Sequence, residues 1–287
     1  MPSYGSGGRS VLIYDHSSWS GYLLQRLLPR ATRFVARRGD RAGDVLADVP
    51  ADAAVFIFHV DLTWAGDVPL DRSELTARLV RYGIAVINHD VVDISKRSLQ
   101  HACGELGLPT TVADQSGPPD DLVIVKTDRN YGGVPETLSQ QRDTGLDVGP
   151  GKGAPEPPEY LVARRCELDE AVWTRPDLVV ENYVSNPHGQ IYRAIRLGDA
   201  MAFMVYRTGR AVDRVPADSS LLVDADLVPT AVKKAVVELA QYRGIGFGAF
   251  DVIVDDASQA FVIDFNSTPY WGAGALGALR RLTRPWS

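Results

Sequence analysis

The first ninety residues alternate short, nearly continuous apolar runs with amphipathic stretches: VLIYD from Val11, GYLLQRLLP, AAVFIFHV from Ala53, SELTARLVRYG, and IAVIN from Ile84. Apolar runs of roughly four to eight residues read as buried strands, and the longer segments between them as helices. The rhythm is βαβαβ. It predicts a parallel sheet covered on both faces by helices, and such sheets bind ligands beyond the carboxyl ends of their strands. The loops at those ends run from His16 to Trp19 and from His59 to Trp64, which makes Trp19, His59 and Trp64 candidate substrate contacts. A capped turn with a packed aromatic explains the same residues equally well.

Beyond this region the pattern predicts a helix from roughly Val92 to Leu106, closed by Gly107 and Pro109. DDLVIVKTD from Asp120 reads as a strand leading into the small-residue loop Asn130-Tyr131-Gly132-Gly133. Residues 140–159 are rich in Gly, Pro and charge, as a mobile loop or lid edge would be. Next come YLVARR, an acidic helix around Glu167 to Trp173, and the strands LVVENYV, QIYRAIRLG and MAFMVYRTG. A turn-rich span leads to the helix PTAVKKAVVELAQYRG and to two last strands, GAFDVIVDD and QAFVIDFNSTP, joined at Asp255-Asp256-Ala257-Ser258.

Composition narrows the partners. With 287 residues, 45% hydrophobic and 23% charged, the chain can form two lobes or one large domain. A net charge of -6 with no basic stripe argues against nucleic acid. No apolar run approaches the roughly 20 residues that span a bilayer, and the polar start MPSYGSGGRS reads as a loose tail. Cys103 and Cys166 have neither disulfide-framework nor metal-ligand spacing, so they read as free thiols of a cytoplasmic protein. A small-molecule partner is the expectation. Of the 30 basic residues only five are lysines, so a lysine at a chemically sensitive position is informative.

Candidate chemistry gathers at the C-terminal hairpin. A loop of even length would put Asp251 opposite Val262 or Asp264, on the face that Asp264 and Asn266 share by the two-residue period of a strand. Oxygen ligands there could hold Mg²⁺, which takes a few carboxylates and completes its shell with water and phosphates; a solvent-facing polar stripe would look the same. Lys126 continues the apolar face of Leu122 and Ile124, so its ammonium either snorkels or points at an anion, with Gly132 and Gly133 able to bring backbone N–H groups to phosphates. Arg193, Arg196 and Arg207 put guanidinium forks on strands of apolar character, as anion recognition or an exposed edge would. Lys96 sits on the first turn of its helix.

Taken in order, Asn88, ISKRSLQHACGELGLPTT, VIVKTDRNYGG, LVVENYV, IYRAIRLGD, FGAFDVIVD and VIDFNSTPYWG resemble the ATP-grasp superfamily, in particular the carboxylate-amine ligases similar to ribosomal-protein-S6-modifying and glutathione-synthetase-like enzymes. The resemblance implies an α/β (α+β) chain. Residues 1–90 would form an N-terminal Rossmann-like pre-ATP-grasp domain with a parallel sheet, and residues 91–287 a two-lobed ATP-grasp fold, with a central lobe at about 110–184 and a C-terminal lobe at about 185–287. It further implies that Lys96 and Lys126 hold ATP phosphates near Gly132 and Gly133, and that Glu181, Asn182, Tyr183 and Val184 form the adenine hinge. Arg193 and Arg207 would lie near the transferred phosphate, and Asp251, Asp264 and Asn266 would bind Mg²⁺, with Mn²⁺ the alternative ion. Ser95 and Asp264 depart from the family pattern, which often has Asp and Glu there.

The implied reaction is ATP-dependent amide or peptide bond formation between a small-molecule carboxylate and an amine, an amino acid or peptide, through an acyl phosphate with release of ADP and phosphate. Trp19, His59, Trp64, Tyr270 and Trp271 are the candidate substrate lining. A kinase of the same architecture and a non-catalytic nucleotide-binding module are the alternatives. No nucleic acid or membrane is expected as partner, and a homo-oligomer is left open.

Overall fold

In a computed structural model of the chain, residues 10–15, 21–36, 39–60, 72–130, 160–207, 220–270 and 276–286 are described. Strands β1 (Ser10–Asp15), β2 (Thr32–Val35), β3 (Ala53–His59) and β4 (Ala85–Ile87) form a parallel sheet in the order β2-β1-β3-β4. Helices α1 (Leu23–Leu27), α2 (Ala42–Ala47) and α3 (Arg72–Arg81) lie in its connections. The expected parallel sheet is present with one strand and one helix more than the pattern foretold. Strand β2, TRFV, sits at the sheet edge with both its ends exposed, so it lacks the unbroken apolar run that marked the other strands.

Helix α4 (Lys96–Glu105) begins four residues later than expected. Ser95 caps it, accepting a 3.2 Å hydrogen bond from the Ser98 amide, and the residues before Ser95 are not helical. Gly107, at φ +67, ends the helix as the sequence indicated. A three-stranded antiparallel sheet follows, with β5 (Leu122–Thr127) between β6 (Leu161–Arg164) and β7 (Leu178–Asn182) and the short helix α5 (Glu170–Thr174) beside it. The last sheet is antiparallel, in the order β10-β9-β8-β11-β12, from β8 (Gln190–Leu197), β9 (Ala200–Arg207), β10 (Ser220–Val223), β11 (Phe247–Val254) and β12 (Ala260–Asn266). Strand β10 falls in the span that read as turn-rich. Helices α6 (Thr230–Tyr242) and α7 (Leu276–Leu279) complete the described α-helices.

Both faces of the five-stranded sheet are covered. One face, with Ala194, Phe203, Phe250, Val252 and Phe265, packs on α6 and α4 and continues into Leu12, Phe56 and Phe58 of the parallel sheet. The opposite face, with Ile195, Leu197, Ala202, Met204, Phe247 and Ala249, buries against Ile13, Val55 and Ile57 and the leucines of α1. Hydrophobic packing therefore runs straight across residue 90. Gly248 permits the close seating of the first face, because a Cβ there would lie 2.5 Å from the Phe265 ring.

A buried amide fixes the joint between the parallel sheet and β11. Asn88, directly after β4, donates from Nδ2 to the Phe247 carbonyl at 2.9 Å and accepts at Oδ1 from the amides of Gly246 and Phe247 at 2.9 and 3.0 Å. Its φ of 61° is in the left-handed region, which Asn tolerates better than most residues. Asn88→Ala should destabilise the chain by about 3 kcal/mol in urea unfolding, since it strands buried backbone groups and worsens the backbone conformation; a loss below about 1 kcal/mol would contradict this role. Thiol accessibility gives an independent check of the fold. Cys103 is buried, which pushes its thiol up to about 11, whereas Cys166 is exposed. A disulfide reagent at pH 8 should thus titrate one thiol rapidly in the native protein and the second only on unfolding.

Candidate active site

The site is built on the hairpin of β11 and β12. Its loop is not the even one expected, because Val254 pairs with Ala260 and leaves the five residues Asp255 to Gln259 outside the ladder. Continued unbroken, that register would set Asp251 opposite Ile263 and turn Asp264 to the other face. Instead the register shifts by one residue between Asp251 and Val252, leaving Ile263 as the extra residue of a bulge and placing Asp251 directly across from Asp264. Asn266, across from Ala249, shares that face. The odd loop and the bulge cancel, so two carboxylates and an amide line one face of the sheet.

Three cations converge on this pair from three elements. Arg193 of β8, across from Asp251, donates from Nε to Oδ1 at 2.7 Å and from Nη2 to Oδ2 at 2.6 Å, and its guanidinium lies 5.1 Å from the Tyr206 ring centre. Lys96, buried at the start of α4, has its ammonium 3.8 Å from Asp264 Oδ1. Lys126 of β5, also buried, pairs with Glu181 Oε2 at 2.5 Å. Burial pushes the Asp264 carboxyl above the usual carboxylate range; the charge of Asp251 adds to the rise, while Lys96, Lys126 and Arg193 all oppose it. The other four charges thus all act on Asp264.

Local structure explains why the lysines stand there. A cation on the first turn of a helix opposes the helix dipole, so Lys96 is not placed for the sake of α4. Asp128, two residues after Lys126, offsets that cost: its carbonyl accepts from the Lys96 amide at 3.1 Å and its carboxylate from the Arg97 amide at 2.9 Å. One residue thereby ties the element bearing Lys96 to the element bearing Lys126. Two buried amides add further ties that the sequence did not flag. Gln100 donates to the Val262 carbonyl at 2.8 Å and accepts from the Thr111 amide at 2.9 Å, and Asn130 donates to the Phe265 carbonyl at 3.1 Å. Gln100 could have been flagged as an amide on the helix face that carries Leu99 and Cys103, whereas nothing in the loop sequence around Asn130 marks it. Tyr206, missed as well, is on the site face because β9 pairs Met204 with Arg193.

The remaining candidates fall in several places. Glu181 is fully buried at the end of β7, and its Oε1 has no hydrogen-bond partner among the described residues. Asn182 holds structure: it accepts from Arg165 at 3.0 Å and donates to the Val112 carbonyl at 2.9 Å. The Tyr183 amide donates to the Leu122 carbonyl at 3.0 Å, and Val184 follows half-buried. Arg207 is exposed and pairs with Gln190, which puts it on the face opposite Arg193, and Arg196 lies on that opposite face too. His59 is fully buried, with Nδ1 3.1 Å from Asp15 Oδ1 and its ring against Tyr22 and Phe247, so it is not open to a substrate. Tyr270 is exposed and bridges to Tyr22. Trp19, Trp64, Gly132, Gly133, Trp271 and the 140–159 stretch lie outside the described residues.

No family model and no curated protein matches the sequence. Solved structures do match over almost the whole chain. The ATP-grasp ligase PsnB complexed with a minimal precursor aligns at TM-score 0.54 and 12% identity, covering 98% of this chain and 100% of its own. The macrocyclase MdnC of Microcystis aeruginosa MRC, bound with precursor peptide MdnA, aligns at 0.54 and 13%, covering 97% and 96%. The chain has the ATP-grasp fold. N5-carboxyaminoimidazole synthetase from Staphylococcus aureus, at TM-score 0.51 and 11% identity, shares it over 93% of this chain and 72% of its own. Within that fold Lys126 stands on the three-stranded sheet, and Asp251, Asp264 and Arg193 stand on the five-stranded sheet.

The donor set suits a hard cation. Among the described residues no group of three or more His, Cys, Asp or Glu is placed to hold a metal, which leaves two carboxylates and the Asn266 amide. That is the partial, oxygen-only shell that Mg²⁺ completes with water and phosphate. The buried Lys126–Glu181 pair offers a direct test of the geometry. Lys126→Met should destabilise the protein by about 3–5 kcal/mol by stranding the Glu181 carboxylate, and adding Glu181→Met should recover most of that loss. Denaturation of both singles and the double would show it, and additive losses would rule the pairing out.

Proposed function

We propose that the protein is an ATP-dependent carboxylate-amine ligase, forming an amide or peptide bond through an acyl phosphate and releasing ADP and phosphate. The observation that carries this reading is the convergence of Lys96, Lys126 and Arg193 on the opposed carboxylates Asp251 and Asp264. Cations on separate rigid elements around a carboxylate pair suit a triphosphate chelated to a divalent ion, where catalysis rests on positioning and on neutralising transferred charge. Lys96 and Lys126 would bind the phosphates, and Arg193 would face the phosphoryl group in transfer. Asp251 and Asp264, with Asn266 beside them, would hold Mg²⁺, which when bound polarises phosphate oxygens as a Lewis acid. Glu181 Oε1 is a buried acceptor that the exocyclic amine of adenine would satisfy.

The substrate class in this reading is a peptide or amino-acid carboxylate. It is supported by the full-length match to ligases whose structures hold precursor peptides. Tyr270, just beyond the end of β12, remains a candidate for its contacts, whereas the geometry favours neither Arg207 at the transferred phosphate nor His59 in the substrate lining.

ADP release should require acid, amine and Mg²⁺ together, and mass spectrometry should find a product equal to acid plus amine less water. AMP release would refute the reading, and a stable phosphorylated acid formed without any amine would favour a kinase. Asp264→Ala should lower ADP release by at least about a hundredfold, in line with the loss of a charge-stabilising group, while leaving the circular dichroism spectrum intact.

A further inference from the structure

Both carboxylate oxygens of Asp251 are taken by Arg193, at 2.7 and 2.6 Å, in a fork that leaves the two side chains 16% and 27% exposed. Mg²⁺ binds carboxylate oxygen at roughly 2.0–2.1 Å and tolerates little distortion of its shell. A divalent ion on Asp251 would bring two positive groups onto one carboxylate, in a half-buried site where water screens them only in part. A bidentate fork uses the lone pair on the inner side of each oxygen, which is also the side a metal ion prefers, and leaves only the outer lone pairs; an ion at the preferred position therefore displaces at least one arm. Half-buried and held over the Tyr206 ring, the guanidinium is best served by another anion on the same side of the sheet. Asp264 is an unsuitable replacement, since its Oδ1 already accepts from the Phe265 amide at 3.1 Å and faces Lys96 at 3.8 Å.

We infer that Arg193 excludes divalent cations from Asp251 until nucleotide supplies a phosphate to receive the guanidinium, so that metal and nucleotide enter this site together and each weakens sharply without the other. The inference rests on the ligase reading only in that the anion is a nucleotide phosphate. The arginine is thus a positioning residue for the metal through Asp251, in addition to facing the transferred group.

The test is Mn²⁺ titration of the full chain, followed by electron paramagnetic resonance, with and without the non-hydrolysable analogue AMPPNP, for wild type, Arg193→Gln and Arg193→Lys. Lys keeps the charge and loses the bidentate fork, so it separates competition for Asp251 from a simple change in local charge. In wild type, AMPPNP should tighten Mn²⁺ binding by at least about tenfold over the nucleotide's own contribution, which is measured in parallel without protein. Without nucleotide, both variants should bind Mn²⁺ more tightly than wild type, by about three- to tenfold for Lys and more for Gln, and both should show weaker coupling to AMPPNP. Melting temperatures within a few degrees of wild type would establish that both variants fold.

If Arg193→Lys matches wild type in nucleotide-free Mn²⁺ affinity, or if wild type binds Mn²⁺ equally well with and without AMPPNP, the inference is overturned and the ligase reading stands. If wild type shows no metal-dependent AMPPNP binding at all, the ligase reading falls and takes the inference with it.

Discussion

Two carboxylates facing each other across an antiparallel ladder repel, and Asp251 and Asp264 do so on a face where burial has already made ionised Asp264 less favourable. Much of the surrounding architecture can be understood as what makes that juxtaposition tolerable. Arg193 lies across the neighbouring strand pair from Asp251, Lys96 enters from a helix start, and Lys126 comes from the three-stranded sheet with its own partner, Glu181. A buried network of this kind does not exist for stability, since apolar residues of the same volume would commonly hold the fold as well or better. Its cost makes sense only if the charges have a use.

Holding the charges in place falls to neutral groups. Asn88 fastens the parallel sheet to the start of β11, Gln100 fastens α4 to β12, and Asn130 fastens the loop after β5 to β12, each through backbone carbonyls or amides. Asp128 then links the two lysine-bearing elements directly. The hydrophobic faces of the five-stranded sheet fill the space behind this framework, so Asp251 is the one polar side chain of β11, with buried apolar residues on both sides of it in sequence. Side chains that bond to backbone fix a distance between elements, which apolar contact alone does not.

How much of this was legible in the sequence depended on the range of the interaction. Local periodicity was enough for the parallel sheet, α4, β5 and the final hairpin, and for the shared face of Asp264 and Asn266. It missed β2 and β10, a short polar edge strand and one inside a span of turn residues. Asp251 reached the expected partner by a different route, since a five-residue loop and the Ile263 bulge each reverse the face and together restore it; neither has a signature that a pattern of apolar residues carries. Arg196 could have been set aside by counting, being an odd number of residues from Arg193, whereas separating Arg207 from Arg193 needed the β8–β9 register. The amide clamps were unreadable, because an amide says nothing of which distant carbonyl it will meet.

The carboxylate pair is where a cation would meet nucleotide. Crystals grown with Mn²⁺ and AMPPNP, with anomalous data collected at the manganese edge, would locate that cation directly. A peak is expected between Asp251 and Asp264, with the phosphates toward Lys96 and Lys126. A peak elsewhere, with the nucleotide bound and the Arg193–Asp251 fork still closed, would contradict that placement.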